Sequence, residues 1–281
     1  MKLARYEIDG NTEIGIVLDD GIVCLSAVGI SYRSMIQLIA GGDEALATIR
    51  AAIEGVSPHH RLSDVRLLAP LRPGKYLAIG MNYAKHVAEM GHSERPKYQY
   101  WFNKQTTCIN DPYGDIDPGV SRRLDYEVEL GVVIGKPAKG VSADDALDHV
   151  FGYLVANDVS ARDWQKHTPT FTMGKSFDTH GPIGPWIVTA DEIPDPQALD
   201  LRSFVNGEQR QSSNTSQMSF SVAEQIEYLS TAFTLEPGDL IATGTPEGVG
   251  MAMAPPQFLQ SGDVVRCEVD AIGMIENRVI G

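Results

Sequence analysis

The sequence predicts an α+β protein that is mainly β, and three observations support this fold class. Short apolar runs with the alternating or continuous patterns of strands recur along the 281 residues. Beyond residue 70, only the segment 221–233 reads clearly as a helix, of about three turns. Turn signals rich in Gly, Asp and Asn separate the strand-like runs, and no internal repeat is present. A rolled or sandwiched mixed sheet accommodates these elements best.

The first 70 residues are predicted to form a small N-terminal α/β domain. Strand-like runs separated by Asp-Gly-Asn and Asp-Asp-Gly turn signals fill its first 25 residues. Two short helical patterns follow, and Asp43 is placed to cap the second, 43–54. The next segment, 57–75, contains three prolines, so we place a boundary near residue 70. The prediction is a small domain at 1–70 and a mainly β domain at 71–281.

Charge and composition narrow the functional classes. The net charge is −14 and no basic run is present, so nucleic acid is not expected as a partner, because phosphate binding needs clustered Lys and Arg. No stretch approaches the roughly 18 apolar residues that span a bilayer, and the N-terminus lacks the apolar core of a signal peptide. The three cysteines are scattered, without zinc or disulfide spacing. We therefore expect a cytoplasmic protein that has no membrane partner.

Three acidic residues form a candidate metal site. Glu127 and Glu129 lie two apart in a strand-like run, so their side chains share a face. Asp158 follows the apolar run 151–157, where the end of a strand would present it beside an open site. Three carboxylates suit a hard cation such as Mg²⁺, Mn²⁺ or Ca²⁺. The spacing also fits a solvated acidic strand face, and both interpretations stay open at this point.

A histidine and a glutamate form a candidate catalytic pair. His86 and Glu89 lie three apart in a short helical pattern and share a helix face, so the carboxylate would orient the imidazole and raise its basicity. An ordinary surface histidine explains the same pattern. The flanking glycines, Gly80 and Gly91, would suit a hinged lid over a site.

Three further segments carry side chains suited to binding. Arg162 can form a bidentate pair with a carboxylate and Gln165 can add a hydrogen bond, although Arg162 can also simply pair with Asp163. Lys175, in a glycine-bounded segment, would offset developing negative charge, unless it is merely an exposed lysine. The segment 243–250, TGTPEGVG, is a glycine-rich turn without the ending of a phosphate-binding P-loop, and a simple tight turn explains its glycines equally well.

Taken in order, seven segments resemble the fumarylacetoacetate hydrolase superfamily, in the branch of acylpyruvate hydrolases, oxaloacetate decarboxylases and sugar-acid diketone hydrolases. The resemblance covers residues 70–281, and the segments are GMNYAKHVAEM, DYEVELGVVIGK, NDVSARDWQ, GKSFDTHGP, VNGEQRQ, SQMSFSVAEQIEYLS and LEPGDLIATGTPEGVG. Each motif is weak alone, whereas seven in the right order seldom arise by chance. The resemblance implies a rolled mixed β-sheet core of the fumarylacetoacetate hydrolase type with a small N-terminal α/β domain.

The resemblance also implies roles for nine residues: metal-binding carboxylates, catalytic groups and substrate contacts. In that order they are Glu127, Glu129 and Asp158; His86, Glu89 and Lys175; and Arg162, Gln165 and Thr245. It further implies Mg²⁺ or Mn²⁺ as cofactor, with Ca²⁺ a substitute in crystals, and a homodimer.

The activity implied is metal-dependent hydrolysis of a C–C bond in a small carboxylated 1,3-diketone, an acylpyruvate or 2,4-diketo acid, through a metal-bound enolate. Decarboxylation of a β-keto acid such as oxaloacetate, or hydration or isomerisation, needs the same enolate and stays open, as does a non-catalytic binding protein. In one departure, this chain has Phe102-Asn103-Lys104-Gln105 where many relatives have Phe-x-Lys-Pro. This difference affects the expected substrate more than the reaction type.

Overall fold

Eighteen strands and six α-helices make up the computed structural model, which describes all 281 residues. The strands are β1 (Lys2–Ile8), β2 (Asn11–Leu18), β3 (Gly21–Cys24), β4 (His60–Arg61), β5 (Arg66–Leu68), β6 (Tyr76–Gly80), β7 (Tyr100–Lys104), β8 (Ile109–Asn110), β9 (Leu124–Asp125), β10 (Val128–Ile134), β11 (Val150–Asn157), β12 (Ser160–Ala161), β13 (Gly181–Thr189), β14 (Asp200–Val205), β15 (Glu208–Asn214), β16 (Leu240–Ala242), β17 (Val264–Val269) and β18 (Gly273–Arg278).

The helices are few and short. They are α1 (Met35–Ala40), α2 (Gly42–Ile53), α3 (Ala84–Glu89), α4 (Arg162–Gln165), α5 (Thr172–Lys175) and α6 (Val222–Ala232). The longest, α2, has 12 residues, and no helix combines the length and apolar character that crossing a membrane requires.

Two sheets carry the fold. The larger is mixed and has twelve strands, in the order β4-β3-β2-β1-β13-β11-β10-β16-β6-β7, with β5 beside β1 and β8 beside β13. Its pairs are antiparallel except β6–β16 and β8–β13. The smaller sheet is antiparallel, in the order β15-β14-β17-β18, and β12 and β9 form a separate two-stranded pair. The predicted fold class, α+β and mainly β with a mixed-sheet core, is confirmed.

The main hydrophobic core lies between the two sheets. It joins Val132 and Val155 of the larger sheet to Leu201, Val265 and Ile275 of the smaller one. Along β17, buried residues alternate with partly exposed ones, which is the pattern of a strand with one face on the core. By contrast, every residue of β10 and β11 is buried, because these strands lie in the middle of the larger sheet and are covered on both faces.

The N-terminal segment extends the larger sheet. Strand β1 pairs with β13, so the strands of residues 1–70 are continuous with those of the rest of the chain. Helices α1 and α2 contribute Leu38 and Ile49 to a second core cluster that includes Leu154 and Ile187 of the central strands. The boundary near residue 70 stays a prediction.

The predicted cap at Asp43 is wrong. Helix α2 begins at Gly42 and follows α1 directly, so that Asp43 lies in its first turn and Gly41 takes the capping position without a side-chain bond. The observed side-chain cap belongs to α1, where the Ser34 hydroxyl accepts the Gln37 N–H at 3.2 Å. In the first turn, the Asp43 carboxylate still interacts favourably with the helix dipole.

A capping box that the sequence encodes locally begins α6. The Ser221 hydroxyl accepts the Glu224 N–H at 3.2 Å, and the Glu224 carboxylate accepts the Ser221 N–H at 2.7 Å. We expect Ser221→Ala to lower the free energy of unfolding by about 1 kcal/mol, because a helix N–H loses its acceptor. Chemical denaturation measures this. Ser212→Ala, at an exposed strand position, is the control, and an equal loss in both variants would contradict the capping role.

Candidate active site

Three buried carboxylates meet where strands β10 and β11 lie side by side. Glu127 precedes β10, Glu129 is its second residue, and Asp158 follows the last residue of β11. The antiparallel pairing of these strands brings the start of one next to the end of the other, and the Asp158 N–H donates to the Glu127 carbonyl at 2.9 Å. One oxygen from each carboxylate lies within 4.8 Å of the other two. All three residues are at most 5% exposed, so the solvated-face alternative is wrong.

Three buried cations surround these carboxylates. The Lys175 ammonium lies 2.7 Å from Glu127 Oε2 and 2.6 Å from Asp158 Oδ2. Lys104 donates to the other Asp158 oxygen at 2.5 Å. Arg162 Nη2 lies 2.7 Å from Glu127 Oε1, a close ion pair without the alignment of a hydrogen bond. Lys175 is therefore bound by two carboxylates, and the exposed-lysine alternative is wrong.

These contacts give the two glutamates opposite electrostatic environments. Burial raises the pKa of Glu127, but the cations of Lys175 and Arg162 lower it more, to about 2. Burial first, and then the charges of Asp158 and Glu127, raise the pKa of Glu129 well above its ordinary value. Glu129 forms no salt bridge, and its carboxylate accepts one hydrogen bond.

The donor set fits a divalent cation. When all of them are ionised, four buried carboxylates face three buried cations, and one negative charge has no partner. The acids are Asp125, Glu127, Glu129 and Asp158, and the cations are Lys104, Arg162 and Lys175. The carboxylate without a counterion is Glu129, and a cation beside it would supply the missing charge. Oxygen-only ligands favour Mg²⁺, Mn²⁺ or Ca²⁺ over softer ions.

The second part of the site is the pair on α3. His86 Nδ1 lies 2.7 Å from Glu89 Oε1, as the spacing of three residues predicted. Because a carboxylate only accepts hydrogen bonds, this contact keeps the imidazole proton on Nδ1 and leaves Nε2 free to act as a base. His86 is 7% exposed, which excludes the surface-histidine alternative. After Lys175 and Arg162, His86 also helps to lower the pKa of Glu127, so the pair and the carboxylates belong to one site.

The glycine-rich segment 243–250 holds three of the acidic side chains with its backbone. Its hydrogen bonds run from Gly244 N–H to Glu129 (2.8 Å), from Gly248 N–H to Glu89 (2.9 Å) and from Gly250 N–H to Asp125 (2.8 Å). The φ angles of +98° at Gly244 and +103° at Gly248 favour glycine, and a Cβ at Gly248 would lie 2.1 Å from the Arg210 carbonyl oxygen. The segment is a carboxylate-binding loop, which goes beyond the simple tight turn that the sequence left open.

The three residues predicted to contact substrate make bonds inside the protein. Arg162 Nε donates to Asp125 at 2.9 Å and Nη1 donates to Gln165 at 3.1 Å. The alternative pairing with Asp163 is wrong, since that carboxylate accepts hydrogen bonds from the 121–122 segment instead. The Thr245 hydroxyl is buried and donates to a β10 carbonyl at 2.9 Å. Substrate contact by these residues stays a prediction.

Two buried charged residues were not assigned a role from the sequence. Asp125 accepts the N–H groups of Gly250 and Met251 and pairs with Arg162. Lys104 was noted as retained from the Phe-x-Lys-Pro element, but its burial depends on the pairing of β7 with β6, which no local pattern shows.

The replacement of proline by Gln105 also has a structural consequence. The Gln105 N–H donates to the Ser176 hydroxyl at 3.0 Å, a bond that proline cannot make. It ties the end of β7 to the residue that follows Lys175.

Comparison with known proteins identifies the family. The model of the fumarylacetoacetate (FAA) hydrolase C-terminal domain matches residues 75–280. The chain belongs to the fumarylacetoacetate hydrolase family. It is an enzyme of this family, as the ordered motifs predicted.

Similar proteins cover the full length of this family member. An oxaloacetate tautomerase from Xenopus laevis, named as mitochondrial, is 43% identical over all of this chain and 90% of its own length. The oxaloacetate tautomerase of Bacillus subtilis is 40% identical over 99% of this chain and 100% of its own. The crystal structure of maleylpyruvate hydrolase from Sphingobium sp. SYK-6, in complex with manganese(II) and pyruvate, is similar with a TM-score of 0.84 and 32% identity over 100% of this chain and 99% of that one.

The contact between His86 and Glu89 predicts how a substitution of Glu89 affects the enzyme. Glu89 receives two N–H donors, from His86 and Gly248, so both of its oxygens must accept. In Glu89→Gln the amide NH₂ must face one of these two donors. When it faces His86, Nδ1 must accept a hydrogen bond, so the imidazole proton moves to Nε2 and this nitrogen can no longer act as a base. We expect kcat to fall by about 10²–10⁴-fold, with Mn²⁺ affinity unchanged.

Steady-state kinetics and Mn²⁺ titration of the same preparation measure both quantities. Glu94→Gln, at an exposed position beyond α3, is the matched control. Native kcat in Glu89→Gln would contradict the role of this carboxylate.

The pKa of His180 leads to a second prediction. Burial, followed by the charge of Lys104, lowers its pKa from 6.5 to about 4, while Nε2 lies 2.9 Å from the Asp117 carbonyl. Between these pH values the unfolded chain binds a proton that the native protein does not, so stability falls as the pH falls. In His180→Gln, which retains a donor to Asp117, we expect this loss to be smaller by up to about 3 kcal/mol.

Chemical denaturation at a series of pH values from 4 to 7 tests this, with His92→Gln at an exposed position as control. The prediction fails if His180→Gln and the native protein lose the same stability over that range.

Proposed function

We propose that this enzyme interconverts the keto and enol forms of oxaloacetate, or of a closely similar small 2-keto dicarboxylate. The observation that carries the proposal is the whole-length similarity, at 40% and 43% identity, to oxaloacetate tautomerases from a bacterium and a vertebrate. The isomerase alternative left open by the sequence is therefore favoured over the C–C hydrolase that the sequence placed first.

The residues of the chain suit a single proton transfer. Glu89 keeps the proton of His86 on Nδ1, so Nε2 can take a proton from the carbon next to the keto group and return it to the oxygen. One C–H bond breaks and one O–H bond forms, with neither water nor an oxidant consumed. Lys175 stands between two of the carboxylates and would offset negative charge on the substrate oxygen.

A divalent cation held by Glu127, Glu129 and Asp158 would supply Lewis-acid polarisation of the keto oxygen. The proposed ion is Mg²⁺ or Mn²⁺, which is supported by the oxygen-only donors and by the manganese in the maleylpyruvate hydrolase structure.

The charge balance of the site supports an anionic substrate. With a divalent cation bound and all four carboxylates ionised, the three buried cations and the metal ion would leave this cluster with one excess positive charge. A locally positive, buried site attracts a dicarboxylate even though the whole chain has a net charge of −14. The homodimer and the cytoplasmic location stay predictions.

A second candidate is hydrolysis of a C–C bond in an acylpyruvate. The similarity to maleylpyruvate hydrolase favours it. The same His86 would then take its proton from a water molecule, which attacks the distal carbonyl of the substrate. The two reactions therefore differ in whether a water molecule is admitted and consumed.

A coupled assay separates these reactions. With Mn²⁺ present, we expect the protein to accelerate keto–enol exchange of oxaloacetate, followed by the ultraviolet absorbance of the enol, over a blank with Mn²⁺ alone. Chelator should abolish the acceleration. His86→Asn should reduce it by about 10²–10⁴-fold while Mn²⁺ binding persists, and His92→Asn is the matched exposed control.

Mass spectrometry of the same mixtures identifies the competing activities. Two organic acids from an acylpyruvate, without faster exchange of oxaloacetate, would favour the hydrolase. Release of CO₂ from oxaloacetate above the metal blank, again without faster exchange, would indicate a decarboxylase. Either result would reject the tautomerase.

A further inference from the structure

Val128 lies between Glu127 and Glu129 in the chain, and its backbone N–H and C=O have no strand partner on the side of β16. Pairing between β10 and β16 begins only at Gly131. Backbone groups of alternate residues point to the same side of a strand, so those of Val128 and Leu130 point past the end of β16. The Leu130 carbonyl is met by the segment that follows β16. The N–H and C=O of Val128 instead form hydrogen bonds with side chains.

Three hydrogen bonds form a ring that includes the backbone N–H and C=O of Val128. The Val128 N–H donates to Gln211 Oε1 at 3.0 Å, and Gln211 Nε2 donates to Thr245 Oγ1 at 2.8 Å. Thr245 Oγ1 donates back to the Val128 carbonyl at 2.9 Å. The Gln211 amide also accepts from Ser203 and donates to the Pro246 carbonyl, each at 2.9 Å. Gln211 is 1% exposed, and all the hydrogen-bonding capacity of its amide is used.

We propose that Gln211 is a positioning residue for the metal centre. It holds the backbone N–H and C=O of Val128, which belong to the two successive peptide groups that join Val128 to Glu127 and to Glu129, and so it fixes both glutamates. Rotation of these two peptide groups would move the carboxylates that follow and precede them, and the like charges of Glu127 and Glu129 favour movement apart. The ring opposes it with hydrogen bonds in a buried, fully satisfied network, which has one arrangement. This inference rests on the metal centre proposed above.

Through Gln211, the smaller sheet contacts the backbone of the candidate metal site. It lies on β15, whereas Val128 begins β10 of the larger sheet and Thr245 belongs to the glycine-rich loop. The Thr245 hydroxyl donates its proton to the Val128 carbonyl, so in this arrangement the threonine acts on the metal carboxylates through the backbone between them. Support of this kind is a common requirement of metal ligands, and its loss weakens metal affinity about 10–100-fold.

Affinity for Mn²⁺ is the quantity that tests this role, measured from the electron paramagnetic resonance signal of free Mn²⁺. The unfolding temperature without metal is measured in parallel. Gln211→Met keeps a similar length but removes every amide hydrogen bond, and we expect its Mn²⁺ affinity to fall about 10–100-fold. Ser203→Ala removes one bond to the same amide outside the ring. It should lower the unfolding temperature and leave Mn²⁺ affinity native.

The threonine provides a second, independent pair of variants. Thr245→Val opens two bonds of the ring while keeping the branched shape, and it should weaken Mn²⁺ binding about 10–100-fold. Thr245→Ser keeps the hydroxyl and should restore native affinity. If Gln211→Met does not fold, this pair decides the question.

Native Mn²⁺ affinity in Thr245→Val, whether or not KM for substrate rises, would overturn the positioning role. Equal weakening by Ser203→Ala and Gln211→Met would also overturn it, because general destabilisation would then explain both. A native chain that binds no Mn²⁺ would overturn this proposal together with the metal centre. A native chain that binds Mn²⁺ but leaves oxaloacetate unchanged would contradict the proposed reaction alone, and the affinities would still decide the role of Gln211.

Discussion

The burial of four carboxylates in one small region is the constraint on which the rest of the site depends. Removing an ion from water costs several kcal/mol even after the protein relaxes, and like charges add repulsion to that cost. The structure meets it with cations from separate elements: Lys104 at the end of β7, Arg162 at the start of α4 and Lys175 at the end of α5. These elements are therefore held together by charge as much as by packing. The carboxylate left without a counterion is Glu129, and the proposed metal ion would supply positive charge beside it.

Backbone N–H groups also stabilise the buried carboxylates. A side-chain amide or hydroxyl loses rotamer freedom when it binds a carboxylate, whereas a backbone N–H in a fixed loop does not. The loop 243–250 uses this property three times, and it holds both Glu129 near the cations and Glu89 beside His86. One loop thus couples the position of the proposed catalytic pair to that of the carboxylates proposed to bind metal. Its glycines are explained by the positive φ angles at Gly244 and Gly248 and by the close approach of neighbouring backbone, with the Arg210 carbonyl beside Gly248 and the Gln257 carbonyl beside Gly250.

The same arrangement explains how one family contains tautomerases and hydrolases. A base with a fixed tautomer, beside a cluster that offsets negative charge on a carbonyl oxygen, can remove a proton from carbon or from water. Which of these it does depends on what the pocket admits. That choice belongs to the segments around the site, and one of them differs here: Gln105 forms a backbone bond to Ser176 that proline would prevent.

The sequence by itself determined the fold class, the extent of α6 and the order of the motifs. Alternation, turn residues and capping boxes are local signals, and they persist in the sequence whatever surrounds them. The i, i+3 pair of His86 and Glu89 and the shared face of Glu127 and Glu129 were local in the same way.

Only the tertiary structure decided which charges are paired and buried. Arg162 has a carboxylate beside it in the chain, Asp163, yet it binds Asp125 and Glu127, more than thirty residues away. Lys104 was left unassigned because strand pairing depends on neighbours that are distant in sequence. The cap at Asp43 was misplaced for a local reason, since α2 begins at Gly42, directly after α1. Arg162 comes close to Asp125 because β12 pairs with β9, and Lys104 is buried because β7 pairs with β6. Such pairings between distant segments bring the charges together and remove them from water.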